Sequence, residues 1–120
     1  MPIVRPTSLN ISQEHFDQIV EHLHSVWPEE GCGLLAGTAG VAQRVLPIKN
    51  ILHSRNRFRM DPEQQVNSMI AIREVGMELV GIFHSHPNGP PQPSTTDMLE
   101  AAYPEAAYLV FWFEKAKWNA

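Results

Sequence analysis

Gly81-Ile82-Phe83-His84-Ser85-His86-Pro87-Asn88-Gly89-Pro90-Pro91-Gln92-Pro93-Ser94-Thr95-Thr96-Asp97 is the stretch on which the fold turns. Val80, Ile82 and Phe83 make the approach to the histidines a β-strand, in which residues i and i+2 share a face. His84 and His86 therefore project side by side, with Ser85 turned the other way. Two imidazoles whose Cα atoms are roughly 7 Å apart can converge on one metal ion but cannot complete its shell. Pro87 stops the strand, having no N–H to give. Asn88-Gly89 turns the chain, and Pro90, Pro91 and Pro93 hold the loop extended. Ser94-Thr95-Thr96-Asp97 then has the Ser-x-x-acid spacing that opens a helix. A stiff loop between strand end and helix start brings Asp97 back toward the histidines. Two His and one Asp are ligands that suit Zn²⁺, and three protein ligands leave the fourth tetrahedral position open. Taken apart, these features have plainer readings: a His-x-His pair is often coincidence, and Ser94 to Asp97 is a capping box.

Taken together, they are more specific. His84-Ser85-His86-Pro87, with seven residues between His86 and Ser94 and two between Ser94 and Asp97, resembles the JAMM motif of the MPN (JAB1/Mov34) metalloprotease family, in its compact prokaryotic type. Upstream, Pro28-x-Glu30-x-Cys32-Gly33 resembles the family's first JAMM element, in which the acid stands two residues before the cysteine or its equivalent. Glu30 matches that place and Glu29 does not, although a pair of carboxylates before a buried strand is ordinarily a solvated corner.

The resemblance covers about residues 10–113. It implies one α/β domain over 1–120, with a central mixed sheet flanked by helices in a cytidine-deaminase-like architecture. It also implies that His84, His86 and Asp97 hold Zn²⁺, that Glu30 takes a proton from water and hands it to the leaving amine, and that Ser94 steadies the tetrahedral oxyanion. Such a site hydrolyses peptide or isopeptide bonds. Only nine residues separate Asp97 from Ala107, as in the compact bacterial kind, whose members act at the C-terminal Gly-Gly of ubiquitin-like sulfur carrier proteins. The alternatives are a non-catalytic MPN protein-interaction scaffold and a RadC-like DNA-repair-associated protein. All five site residues are present, which counts against the first.

Composition fits a small globular enzyme. The 120 residues suffice for one core, with 43% hydrophobic and 18% charged residues. A net charge of −4 counts against a nucleic-acid partner, which usually demands a basic face. No apolar run approaches the ~20 residues that span a bilayer, and Met1 to Pro6 has no signal-like apolar region. A single cysteine fits a reducing cytoplasm. Cys32 has two readings. If the strand begins at Glu30, Cys32 shares its face and is a conceivable sulfur ligand; packing is the commoner fate of a free cysteine, and the resemblance makes it a non-ligand.

The remaining chain reads in order. Ser12 caps a helix to about Trp27, with Phe16, Ile19, Val20, Leu23 and Trp27 as its apolar stripe and His15, His22 and His24 solvated or at its rim. Leu34 to Ala36 form a buried strand, and after Gly40 residues Val41 to Ile48 form its hairpin partner. His53, in an unassigned connection, is a minor site candidate. Arg55 to Met60 alternates and predicts a strand with Phe58 and Met60 inward; its three arginines are a solvated face or a surface for an acidic partner. Asp61-Pro62-Glu63 opens a helix with Val66, Met69, Ile70 and Arg73 as its stripe and Gly76 at its end. A further helix follows Asp97 and breaks at Pro104. Ala107 to Phe113, seven apolar residues, is a strand covered on both faces or one that meets another chain. Past it the tail Glu114 to Ala120 departs from the family pattern, whose members usually continue with further sheet or helix: it reads as a minimal or truncated version, or as leaving an edge that another subunit covers, as in a homodimer.

Overall fold

The computed structural model of the protein describes residues 8–87, 106–114 and 117–120. Ser94, Asp97, the proline-rich loop and the helix expected after Asp97 lie outside the described residues. Helix α1 (Gln13–Ser25) begins where Ser12 accepts the His15 N–H at 3.2 Å and buries Ile19 and Leu23 completely. It stops two residues short of Trp27, whose half-exposed indole leaves the stripe and packs against Phe113 and Trp118, at 5.2 and 5.8 Å between ring centroids.

Strands β1 (Cys32–Thr38) and β2 (Val41–Ile48) form the expected antiparallel hairpin. Its two-residue turn, Ala39-Gly40, has positive φ at both positions, 51° and 75°, as a type I′ turn requires. Helix α2 (Pro62–Glu74) follows its N-cap Asp61, which accepts the Glu63 N–H at 3.1 Å. Strand β3 (Glu78–His86) leads to β4 (Ala107–Glu114) and β5 (Lys117–Asn119). The sheet order is β2-β1-β3-β4-β5, with β3 and β4 parallel and the other pairs antiparallel. This is the mixed sheet of an α/β fold, and its two faces carry separate cores. Ile19, Leu23, Leu35, Val80, Phe83 and Phe111 pack on the α1 side; Cys32, Leu34, Ile48, Met60, Ile72 and Ile82 pack on the α2 side. Gly33 belongs to this arrangement, since a Cβ there would run into the Phe83 ring and within 2.7 Å of the Leu46 carbonyl. Gly33→Ala should therefore cost ~2 kcal/mol or more, read as a lower denaturant midpoint.

Three expectations need correction. Arg55 to Met60 is not a strand: only Met60 makes a bridge, to Asn50, because the Asn50 side chain takes the Arg57 carbonyl and the Arg59 N–H that a neighbouring strand would have paired. Phe58 and Met60 do turn inward. On α2, Val66 and Ile70 are 57% and 50% exposed, and the helix meets the sheet through Ile72, with Met69 half-buried beside it. The tail does not leave the edge of β4 bare: β5 pairs with it at Trp112–Glu114, and Trp118 donates its indole N–H to His24 Nδ1 at 3.0 Å. Centrally β4 is covered on both faces, with Val110 8% and Phe111 0% exposed.

Candidate metal centre

The centre is assembled where β1 begins and β3 ends. Cys32 is in register with His84, and the pairing runs one step further upstream, since Ser85 N–H donates to the Gly31 carbonyl at 2.9 Å. The Gly31 N–H in turn donates to Ser85 Oγ at 2.8 Å. Ser85 is fully buried and faces away from the two histidines, as alternation requires. By that double tie it holds Glu30 alongside His86.

Among the described residues, Glu30, His84 and His86 form a group whose ligand atoms all lie within 4.8 Å of one another. They are 3%, 3% and 5% exposed. The two imidazoles face each other with 3.2 Å between their Nε2 atoms. Nitrogens bound about 2.0–2.1 Å from one tetrahedral zinc stand roughly 3.3–3.4 Å apart, so the spacing suits a shared ion. At this distance either one nitrogen carries a proton that it donates to the other, or a cation shared by both lies near them. The nitrogen and carboxylate donors and their spacing fit a divalent metal. Phe58 stacks on His84 at 4.6 Å and 23°, which fixes the plane of that imidazole.

The segment that carries Phe58 is bound to Glu30 at two points. Glu30 N–H donates to the Ser54 carbonyl at 2.7 Å, and Asn50 Nδ2 donates to the Glu30 carbonyl and to the Arg57 carbonyl, both at 3.0 Å. Asn50 Oδ1 accepts from Leu52 and Arg59 N–H, each at 3.1 Å. All of this amide's capacity on a 7% exposed side chain goes to the backbone of the site. Asn50→Ala should cost ~2 kcal/mol or more in unfolding free energy, since several buried groups lose their partner.

Cys32 belongs to the core. Its thiol donates to the Ile48 carbonyl at 3.4 Å, and burial, then the nearby Glu30 carboxylate, push it up to about 12. A protonated, fully buried thiol should react with a chromogenic disulfide reagent at pH 8 only after denaturant is added. Of the α1 histidines, His22 is half-buried and packs edge-on against Phe83; burial holds its pKa low against a hydrogen bond to the Cys32 backbone. His53 is exposed and pairs with Glu29 at 2.9 Å, away from the cluster. The roles of Phe58, Asn50 and Ser85 were not visible in the sequence, because each acts on a ring or backbone atom distant along the chain.

A buried acid at the start of one strand, facing a His-Ser-His strand end in a mixed sheet, is the arrangement of the JAB1/MPN class. A model of prokaryotic homologs of the JAB domain matches residues 12–120, and the chain belongs to that family. It is 34% identical over 109 residues to a desampylase from Haloferax volcanii, covering 85% of this chain and 78% of that protein. It is 37% identical over 91 residues to a probable TtuB-protein conjugate cleaving protease from Thermus thermophilus, covering 75% and 60%. A CysO-cysteine peptidase from Mycobacterium tuberculosis is 32% identical over 104 residues, covering 85% and 71%. A solution structure from Desulfitobacterium hafniense superposes with a TM-score of 0.81 at 31% identity, over 92% of this chain and 80% of that one. The fold is also that of a JAB1/MPN domain protein from Archaeoglobus fulgidus, with a TM-score of 0.58 at 21% identity over 92% and 85%.

Proposed function

We propose that the protein is a zinc-dependent metallopeptidase that hydrolyses the amide bond at the C-terminal Gly-Gly of a ubiquitin-like or sulfur carrier protein. The observation that carries this reading is the buried cluster of Glu30, His84 and His86 with its 3.2 Å Nε2 separation. His84, His86 and Asp97 are assigned to the metal, which supplies Lewis acidity to polarise the scissile carbonyl and lower the pKa of water. Glu30 receives the proton of the attacking water and delivers it to the departing amine. Its backbone is fixed by the Asn50 side-chain amide and the Ser54 carbonyl, and that of its neighbour Gly31 by Ser85, which places Glu30 beside the histidines. Ser94 is assigned to the tetrahedral oxyanion.

The substrate class comes from the relatives, whose names specify conjugates of TtuB, a CysO-cysteine bond and desampylation. No helix among the described residues is long and apolar enough to cross a membrane. The test is incubation with ubiquitin-like carrier proteins bearing different C-terminal extensions, read by mass spectrometry with a chelator control. Cleavage after Gly-Gly that stops on chelation is expected. Cleavage that continues unchanged in chelator would rule out the metal's role.

A further inference from the structure

We propose that Arg55, Arg57 and Arg59 form a docking surface for an acidic face of the protein substrate; this rests on the peptidase reading above and names the chemistry of its partner. The three side chains are exposed, while Phe58 and Met60, which alternate with them, turn into the protein. Arg57 and Arg59 flank Phe58, and Arg55 stands just before them at a bend where the Asn56 N–H donates to Ser54 Oγ at 3.2 Å, so the three guanidinium groups form a short basic strip along one exposed segment. Three of the chain's nine lysines and arginines thus fall within five residues of a protein whose net charge is −4. Among the described residues none of the three has an ion pair. Fold stability does not account for them.

The strip is fastened to the site. Asn50 ties the Arg57 carbonyl and the Arg59 N–H to the same amide that holds the Glu30 carbonyl, and Phe58, between those arginines, stacks on His84. A partner held by the guanidinium groups is therefore held at a set distance from the carboxylate and imidazoles, where an extended C-terminal tail can reach the reacting centre. Guanidinium forks match carboxylates in pairs, and a local basic strip on an acidic protein orients an acidic partner during approach. The same net charge of −4 disfavours a nucleic acid, which would meet the repulsive field of the rest of the molecule.

The test uses Arg55→Glu/Arg57→Glu/Arg59→Glu protein, an acidic ubiquitin-like carrier with a C-terminal extension, and a synthetic peptide of the carrier's last six residues with the same extension. For the carrier, KM should rise about tenfold or more with kcat nearly unchanged, and the difference from wild type should shrink as salt rises. Peptide hydrolysis should change less than about twofold. Neutralising the carrier's acidic surface residues should reproduce the KM rise with the wild-type enzyme. Binding is read separately by fluorescence anisotropy on a Glu30→Gln background. Undiminished carrier affinity in the arginine variant would overturn the docking surface, whereas wild-type protein that binds the carrier but never cleaves it would overturn only the peptidase reading. An equal loss on carrier and peptide would make the arginines part of site geometry and refute docking. So would tight binding of duplex DNA that is lost in the variant and not competed by carrier.

Discussion

Glu30→Gln protein should retain one zinc per chain and hydrolyse its substrate at least about 10³-fold more slowly, within the range that positioned acid–base groups contribute. The substitution keeps the volume and polarity of a side chain that is 3% exposed, so the core around it has no reason to change. It removes the one property the reaction needs, a basic oxygen beside the histidines, within 4.8 Å of both ligand nitrogens. The backbone ties to Ser54, Asn50 and Ser85 do not involve the carboxylate and survive. Single-turnover cleavage together with metal analysis of the same preparation checks both halves of the expectation. Activity within tenfold of wild type would place the proton on another group.

His84→Ala should lose the metal. With one imidazole of the facing pair gone, affinity should fall by at least about 10²-fold, the upper part of the range seen when even an outer partner of a ligand is lost. Wild-type protein should melt at a higher temperature with saturating zinc than in chelator, because an ion that binds only the folded state at 100 times its Kd adds about 2.7 kcal/mol. The variant should show no such difference. Its metal-free form should also be weaker than metal-free wild type, since Phe58 loses the ring on which it stacks at 4.6 Å. Differential scanning calorimetry with and without zinc separates the two effects. A full zinc-dependent shift in the variant would remove His84 from the ligand set.

How much of this was legible in the sequence depended on whether the information was local. Ser12, Asp61-Pro62 and Pro87 act on their neighbours, and α1, α2 and the end of β3 lie where those residues put them. Strand β2 runs over Val41–Ile48 as expected, because the Gly40 turn sets its start and Cys32 to Thr38 pair along it. The shared face of His84 and His86 followed from strand alternation alone, as did the inward turn of Phe58 and Met60. What misled was alternation without a partner: Arg55 to Met60 has the pattern of a strand, but Asn50 supplies its hydrogen bonds from a side chain. On α2 the apolar residues Val66 and Ile70 suggested the wrong stripe, since Met69 and Ile72 suffice to meet the sheet and the other two stay outside. The tail past Phe113 gave no sign of a further strand, yet Trp118 packs with the α1-side core, 94 positions from the His24 that receives its N–H. At the site, the resemblance to the JAMM motif singled out Glu30, His84 and His86, which the structure brings within 4.8 Å of one another, but the Ser85 tie that aligns them spans 54 positions.

The central claim is that this chain binds one catalytic metal through His84 and His86. Calorimetric titration of the metal-free protein with Zn²⁺ addresses it most directly. One saturable site per chain is expected, with micromolar or tighter affinity, absent from the His84→Ala/His86→Ala double variant. Failure to saturate, or equal binding by the double variant, would contradict it.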